Sequence, residues 1–517
     1  MIATAQSMAL SGLEARLVRV EVDATHSVPS FELVGLAEVA VRESRVRVRS
    51  ALAGIGVDLS ESRIVVNLAP ADLRKGGAGF DLAIAAAIMA ALGHLDPQLL
   101  RGAMLLGEVS LDGVIQPLRG VLPALASLPV GLCSLAVVPA GNGAEAALAR
   151  TCTVAAIRHL GELGDALRGC IAAPDEVSVQ ADPLLGIEDF CDVRGQPTAR
   201  RAMEVAAAGG HNILFVGPPG AGKTMLARRL PGILPPLDRG EALQVTAIHS
   251  VSGLLGAHSG LVRARPFRAP HHTASDVAIV GGSDPPRPGE LTLAHHGVLF
   301  LDELPEFRRS TLEALRQPME DGFVSVSRAS AKATFPARPM VIAAMNPCPC
   351  GHLGDGTERC RCTRDRIRSY RARVSGPIID RLDVHVTLPP VRLHELRRKA
   401  EGEGSAAIRE RVLRARDRQT QRRQQGVVQS ACNAHLTPRE VGEVVPMDDA
   451  TAQELERAAT KYGLSARGFG KVLRVARTIA DLAATDGVAM PHFLEAMAYR
   501  VFDRRPGPSD GDGDAAG

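Results

Sequence analysis

The sequence predicts a multidomain α/β protein, and three observations carry that expectation. The chain runs to 517 residues, more than a single hydrophobic core ordinarily serves. Between residues 185 and 395, short apolar runs such as Val298–Leu301 alternate with turns and helix-like stretches, the pattern of strands buried in a parallel sheet. From about residue 396 to 503 the apolar period becomes helical throughout.

Hydrophobic residues make up 45% of the chain, but Trp is absent and only three Tyr occur. The cores must therefore rest on Ala, Val, Leu and Ile. The net charge of +3 argues neither for nor against a polyanionic partner until charge is mapped along the chain. The alanine-rich run Ala83–Leu92 is too short to span a bilayer, and a cytoplasmic location is the expectation. Nine cysteines, an odd number and mostly scattered, do not read as a secreted disulfide framework.

The elements divide into segments. Residues 1–170 form an α+β domain: Leu17–Val22 and Ile64–Asn67 read as strands, Glu38–Leu52 as a basic amphipathic helix and Phe80–Leu92 as a buried one. Gly54-Ile55-Gly56, Gly76-Gly77 and Asp112-Gly113 mark turns. Residues 171–184 read as a linker, 185–395 as the α/β core with a cysteine-rich insert at 346–365, and 396–503 as a helical domain. The tail 504–517 is Gly, Asp, Ser and Pro and is expected to be disordered.

Gly217, Pro218, Pro219, Gly220, Ala221, Gly222, Lys223 and Thr224 satisfy the pattern G-x-x-x-x-G-K-[ST]. Glycines at these positions let successive backbone N–H groups turn inward onto phosphate oxygens. The pattern assigns Lys223 to the β- and γ-phosphates of ATP and the Thr224 hydroxyl to Mg²⁺. An apolar strand precedes the loop and a helix pattern follows, so a helix N-terminus faces the phosphates. Downstream, Val298–Leu301 ends in Asp302 and Glu303. Ligands of open α/β sheets bind at the carboxyl ends of strands. Asp302 is expected to hold Mg²⁺ and Glu303 to activate water. A third strand, Met340–Met345, ends in Asn346, either a water-positioning amide or a turn residue before Pro347.

Cys348, Cys350, Cys360 and Cys362 form two C-x-C pairs within 15 residues. Four thiolates so clustered suit a structural, tetrahedral Zn²⁺, and reduced thiols or a redox pair are the alternatives. Seven arginines lie between Arg359 and Arg373, and a second basic run spans Arg409 to Arg423. Each is either a solvated helix face or a surface for nucleic-acid phosphates.

Three further stretches carry a resemblance: Phe267-Arg268-Ala269-Pro270-His271-His272-Thr273, Pro288-Gly289-Glu290-Leu291-Thr292-Leu293-Ala294, and Gly376-Pro377-Ile378-Ile379-Asp380-Arg381-Leu382-Asp383. With them, residues 185–395 resemble an AAA+ ATPase module of the magnesium-chelatase type, and residues 5–500 resemble the ComM/YifB family. The N-terminal segment resembles a Lon-protease-like fold, the ribosomal S5 domain 2-like fold, and the C-terminal segment a helical lid. The resemblance implies that Asn346 is sensor 1, that Arg467 is sensor 2 in cis, and that Arg381 is an arginine finger acting in trans within a homo-oligomeric ring, expected to be a hexamer. It also places a pore insertion at 266–290 and a β-hairpin at 322–338 with Arg328, Lys332 and Arg338. His271 and His272 read as structural or pore residues. Peptidase activity is not expected, because Gly76-Gly77-Ala78-Gly79 holds no Ser and Arg119 stands where a partner lysine would.

The family likeness implies an ATP-driven motor on single-stranded or branched DNA, in branch migration of recombination intermediates during natural transformation. Alternatives are a chelatase-type ATPase that remodels a protein partner for metal insertion into a porphyrin, and a regulatory or chaperone ATPase without a nucleic-acid substrate.

Overall fold

The computed structural model describes residues 1–35, 39–71, 79–129, 131–171, 186–256, 260–284, 286–327, 332–391 and 402–500. The linker beyond Ile171, the Gly76-Gly77-Ala78 turn, Asp72–Lys75, Arg328 and the tail lie outside them.

Strands β1 (Ile2–Ser11), β2 (Glu14–His26), β3 (Ser30–Val34), β4 (Ser62–Ala69) and β5 (Ala103–Leu105) belong to the N-terminal sheet. A small hairpin follows, β6 (Glu108–Val109) and β7 (Ile115–Gln116), turning at Asp112-Gly113. With β8 (Leu135–Pro139) and β9 (Thr153–Ile157), the sheet has seven strands in the order β3-β4-β2-β1-β5-β8-β9. The long β1–β2 and β2–β4 pairs are antiparallel, and the β5, β8 and β9 side is parallel. Val18, Val20 and Val22 alternate inward along β2, as the two-residue period of a strand requires.

Helices α1 (Val39–Gly54) and α2 (Asp81–Ala91) belong to the same unit, and α2 packs on β1 and β2. Helix α2 is apolar on every side and nearly all buried, with Asp81 at its first turn. That carboxylate is 0% exposed. It accepts from Arg47 Nε at 2.7 Å, from the Ser44 hydroxyl, and from the Val109 N–H at 3.3 Å. A buried charge needs such partners. The arginine-rich face of α1 thus spends one guanidinium inside the domain.

Helices α3 (Val121–Ala126), α4 (Gly143–Leu148) and α5 (Leu163–Leu167) complete this unit, and the next segment begins at α6 (Pro197–Gly209). The two pack together. The Gly120 N–H donates to Ser250 Oγ at 3.0 Å, on the helix Arg239–Ser252 of the core.

The core sheet contains β10 (Ile213–Val216), β11 (Phe267–Arg268), β14 (Val298–Leu301), β17 (Met340–Met345) and β18 (Val384–Thr387). Between them in the chain lie two hairpins, β12 (Gly281–Gly282) with β13 (Arg287–Pro288) and β15 (Phe323–Ser327) with β16 (Lys332–Pro336). All sheet pairings are parallel, in the order β11-β14-β17-β10-β18. Its central strands are buried on both faces, which accounts for their unbroken apolar runs. Helices α7 (Lys223–Ile233), α8 (Arg239–Ser252), α9 (Asp276–Val280), α10 (Glu290–Leu293), α11 (Arg309–Asp321), α12 (Arg364–Arg371) and α13 (Gly376–Ile379) connect them.

The proposed insertion at 266–290 is narrower than expected. Phe267–Arg268 is the edge strand of the core sheet, in register with Val298 and Leu299, and only the hairpin β12–β13 interrupts the α9–α10 path. A two-residue strand leaves too little periodicity to be read from sequence. The hairpin β15–β16 forms at the expected place, and its turn end meets the N-terminal unit: Ser11 Oγ donates to Lys332 O at 3.1 Å.

The C-terminal segment is helical: α14 (Ser405–Gln424), α15 (Pro438–Val444), α16 (Asp449–Lys461), α17 (Ala466–Leu482) and α18 (Met490–Ala498). The basic run Arg409–Arg423 lies on α14, and most of it is neither a solvated face nor a phosphate surface. Arg409 donates to Gly232 O at 3.1 Å, Arg416 to Ala207 O at 2.9 Å, and Arg422 to Asp481 Oδ1 at 2.7 Å. Arg411 pairs with Glu204 and Glu403. These guanidiniums satisfy helix C-terminal carbonyls and buried carboxylates that would otherwise lack donors. Helix α17 is fastened to the core sheet by Lys471 and Asp383 at 2.8 Å.

Burial holds two core histidines neutral. His295 is pushed down to about 3 by burial, with His296 and Arg338 adding to the effect. His385 is likewise pushed to about 3, by burial and then by Arg500. An unfolded histidine takes up its proton near pH ~6.5, whereas these two stay neutral, so stability is expected to fall as pH drops below that value. The slope approaches ~1.4 kcal/mol per pH unit for each. Urea unfolding at pH 7.5 and 5.5 tests this: the midpoint should be lower at 5.5, and an equal or higher midpoint contradicts the buried neutral state.

Candidate nucleotide-binding site

Three strand ends meet at the carboxyl edge of the core sheet. Strand β10 runs between β17 and β18, with Ile213 opposite both Ile342 and Val384. The loop that leaves it is pinned on both sides. The Gly217 N–H donates to Met345 O at 3.2 Å, and the Leu388 N–H donates to Val216 O at 2.8 Å. A side chain at Gly217 would stand 2.8 Å from Leu388 O, so only glycine fits. Gly220 and Gly222 adopt φ of +79° and +91°, a region that glycine enters without steric cost.

Lys223 opens α7 and folds back over the loop. Its Nζ donates to Gly217 O at 2.6 Å, Pro218 O at 3.0 Å and Asn346 Oδ1 at 2.9 Å. Burial pulls its ammonium below the ordinary lysine value, against the opposing charges of Asp302 and Glu303. Thr224 Oγ1 donates to Asp302 Oδ2 at 2.8 Å. The other Asp302 oxygen accepts the Glu303 N–H at 2.9 Å. Glu303 itself has φ of +51°, an uncommon conformation for a non-glycine residue. Its half-exposed carboxylate lies 3.1 Å from His272 Nδ1.

The expected residues from β10, β14 and β17 therefore converge: Lys223, Thr224, Asp302, Glu303 and Asn346. A hydroxyl and a carboxylate side by side form an all-oxygen donor pair, the kind of ligand that suits Mg²⁺. The α7 N-terminus beside them, with glycine-turned amides, suits phosphate oxygens.

Two expected residues stay apart from this cluster. Arg381 is engaged within its own chain. Its guanidinium donates to Arg316 O at 3.1 Å and Pro377 O at 2.8 Å, pairs with Glu320 at 2.5 Å, and is only 10% exposed. Arg467 is exposed at the first turn of α17. Among the described residues its guanidinium makes no hydrogen bond or ion pair.

Two residues that the sequence did not assign to the nucleotide site also shape it. His272 reaches Glu303 from the segment after β11. Gln196, buried at φ of +55°, donates to Ala221 O at 3.3 Å and Pro389 O at 2.7 Å, tying the P-loop to the exit of β18. The adjacent His271 Nδ1 lies 2.8 Å from Thr273 Oγ1.

Beyond Asn346 the chain enters the cysteine insert. Gly351 sits against the P-loop, where a Cβ would approach Pro219 Cδ to 2.7 Å. The insert leads into α12, and Arg359, Arg361, Arg364, Arg366 and Arg368 are exposed on this arm. Arg371 turns back and donates to Pro347 O at 3.2 Å.

Comparison with known proteins agrees with this organisation. Residues 189–396 match the family model described as magnesium chelatase, subunit ChlI. Residues 20–142 match the model for subunit ChlI of Mg-chelatase, and residues 402–500 the ChlI C-terminal model. The chain is 41% identical to the competence protein ComM of Haemophilus influenzae, over 97% of this chain and 98% of that protein. It is 42% identical to the uncharacterized protein YifB of Salmonella typhimurium over 97% and 98%, and 40% identical to the uncharacterized protein Mb2921c of Mycobacterium bovis over 96% and 98%. Among the described residues, no helix is long and apolar enough to cross a membrane. Full-length similarity, the matched models and the parallel α/β core with its helical C-terminal region lead to one conclusion: the chain belongs to the ComM/YifB family of magnesium-chelatase-like AAA+ proteins, and this membership implies an ATPase.

Proposed function

We propose that the chain is an ATP-driven ring motor that moves single-stranded or branched DNA, with branch migration of recombination intermediates as its task. One observation carries this reading. The exposed arginines of the α12 arm lie on the same continuous segment as Asn346, whose side chain bonds Lys223. A guanidinium surface that exchanges counterions with a phosphate backbone is thereby joined mechanically to the nucleotide site. The relative named a competence protein supports the same reading. The ring, expected to be a hexamer, follows from the AAA+ class.

In this mechanism the amides of Gly217–Gly222 and the Lys223 ammonium hold the ATP phosphates. To do so Lys223 exchanges its bonds to Gly217 O and Pro218 O for phosphate oxygens, which are stronger, charged acceptors. Thr224 and Asp302 would hold Mg²⁺, which when bound neutralises charge on the phosphates. Glu303 accepts a proton from the attacking water, and must leave His272 to face it. Asn346 orients that water, and Arg467 contacts the nucleotide in cis. Arg381 reaches a neighbour's ATP after release from Glu320.

Lys223→Ala is expected to abolish nucleotide binding, read by titration of a fluorescent ATP analogue; wild-type affinity would remove the loop from the site. Arg381→Ala is expected to keep binding and to stop hydrolysis. Mixed with wild-type subunits it should give partial activity, and normal turnover by the pure variant would refute the trans assignment.

A chelatase-type ATPase acting on a protein partner is a second reading, favoured by the description of the matched family models. DNA separates the two. Single-stranded DNA should stimulate the ATPase, with stimulation falling steeply as salt rises, and a fluorescently labelled three- or four-strand junction should be resolved with ATP. A protein that hydrolyses ATP yet ignores DNA and leaves the junction intact would overturn the motor reading.

A further inference from the structure

We propose that Cys348, Cys350, Cys360 and Cys362 hold one Zn²⁺ in a closed tetrahedral site that bolts the basic arm to the P-loop. The four sulfurs cluster at spacings close to those around a tetrahedral zinc ion. All four are within 4.8 Å of one another. Cys348 Sγ is 3.3 Å from Cys350 Sγ and 3.7 Å from Cys360 Sγ, and Cys350 Sγ is 3.7 Å from Cys360 Sγ. A tetrahedron with Zn–S bonds of about 2.3 Å has edges of ~3.8 Å. A disulfide would need sulfurs at ~2.05 Å, so these spacings describe ligands around a common centre rather than a bonded pair. Among the described residues this is the one cluster of three or more metal-ligating side chains so arranged.

The intervening loop holds its own shape. The Gly351 N–H donates to Cys348 O at 3.0 Å, with Gly351 at φ of +83°. Asp355 accepts from the Thr357 N–H at 2.8 Å and lies 3.0 Å from His352 Nδ1. Thr363, next to the last cysteine, caps α12 by accepting the Arg366 N–H at 3.4 Å. Four protein thiolates leave no open position, so the ion is structural and takes no part in hydrolysis.

Its location gives it a consequence at the nucleotide site. The first cysteine is two residues past Asn346, and Gly351 packs on Pro219 with no space for a side chain. Closing the loop with a metal removes conformations in which this contact opens. The ion therefore positions both Asn346 and the P-loop, and transmits a pull on the α12 arginines to them.

The test uses the full chain, purified with reductant and without chelator, and elemental analysis by mass spectrometry. About one zinc per chain is expected for four thiolates. The pair Cys360→Ser with Cys362→Ser should lose it. Cys350→His, which keeps a zinc ligand, should retain it, as should Cys170→Ser, which lies outside the cluster. No zinc in the wild-type chain after incubation with zinc chloride and desalting, or full zinc in the double serine variant, would overturn the site. The bolt has a separate readout in titration with a fluorescent ATP analogue. The zinc-free variant should bind several-fold more weakly than wild type, and Gly351→Val, which keeps all four thiols, should be weakened as well. Unchanged binding in both would overturn the coupling.

Discussion

One half-buried cation organises the centre of this molecule. Lys223 Nζ binds two carbonyls of its own loop and the side-chain oxygen of Asn346. Those three oxygens come from two strands that neighbour each other only because β10 and β17 pair in parallel. An ammonium withdrawn from water must find acceptors, and here it finds them where a phosphate would bind. Under the proposed function, a phosphate arriving there would take the place of loop carbonyls around that one nitrogen. Asn346, which shares that nitrogen, opens the segment that leads to the cysteine insert.

The rest of the fold keeps this contact in register. The N-terminal unit does not stand aside from the core. The turn between β1 and β2 touches the hairpin β15–β16, and Gly120 meets Ser250 on α8. The N-terminal sheet therefore meets the turn end of the hairpin that precedes β17 in the chain. On the opposite side, α14 and α17 clasp the core through arginines that serve carbonyl groups and through the Lys471–Asp383 pair. Asp383 is held well below the ordinary carboxylate range: burial works against its charge, and Lys471 and His211 more than offset that. Helix α17 carries Arg467, so the same ion pair sets where that arginine stands relative to the sheet.

Basic residues of similar appearance have different employments. Arg47 supports a buried carboxylate, Arg416 closes a helix C-terminus, Arg381 is clasped by Glu320, and the arginines before Arg371 project to solvent. Burial accounts for the difference. A guanidinium near unpaired carbonyls or carboxylates is consumed by them, whereas those that project to solvent, as along the α12 arm, are not.

The residues of the P-loop, the Asp302-Glu303 strand end and the strand before Asn346 were legible in the sequence. Each is a run of consecutive residues whose conformation depends on local chemistry: glycine at positive φ, and apolar runs long enough for a buried strand. The segment order was legible for the same reason, since apolar period changes along the chain. What only the tertiary structure decided are the partners of side chains that meet across the sheet. His272 faces Glu303, Gln196 holds the P-loop, Arg381 is tied to Glu320, and most of the arginines of α14 point inward. No local pattern encodes these, because the partner of a long or half-buried side chain is the nearest unsatisfied group in space, and that neighbour is supplied by strand order and helix docking rather than by distance along the sequence.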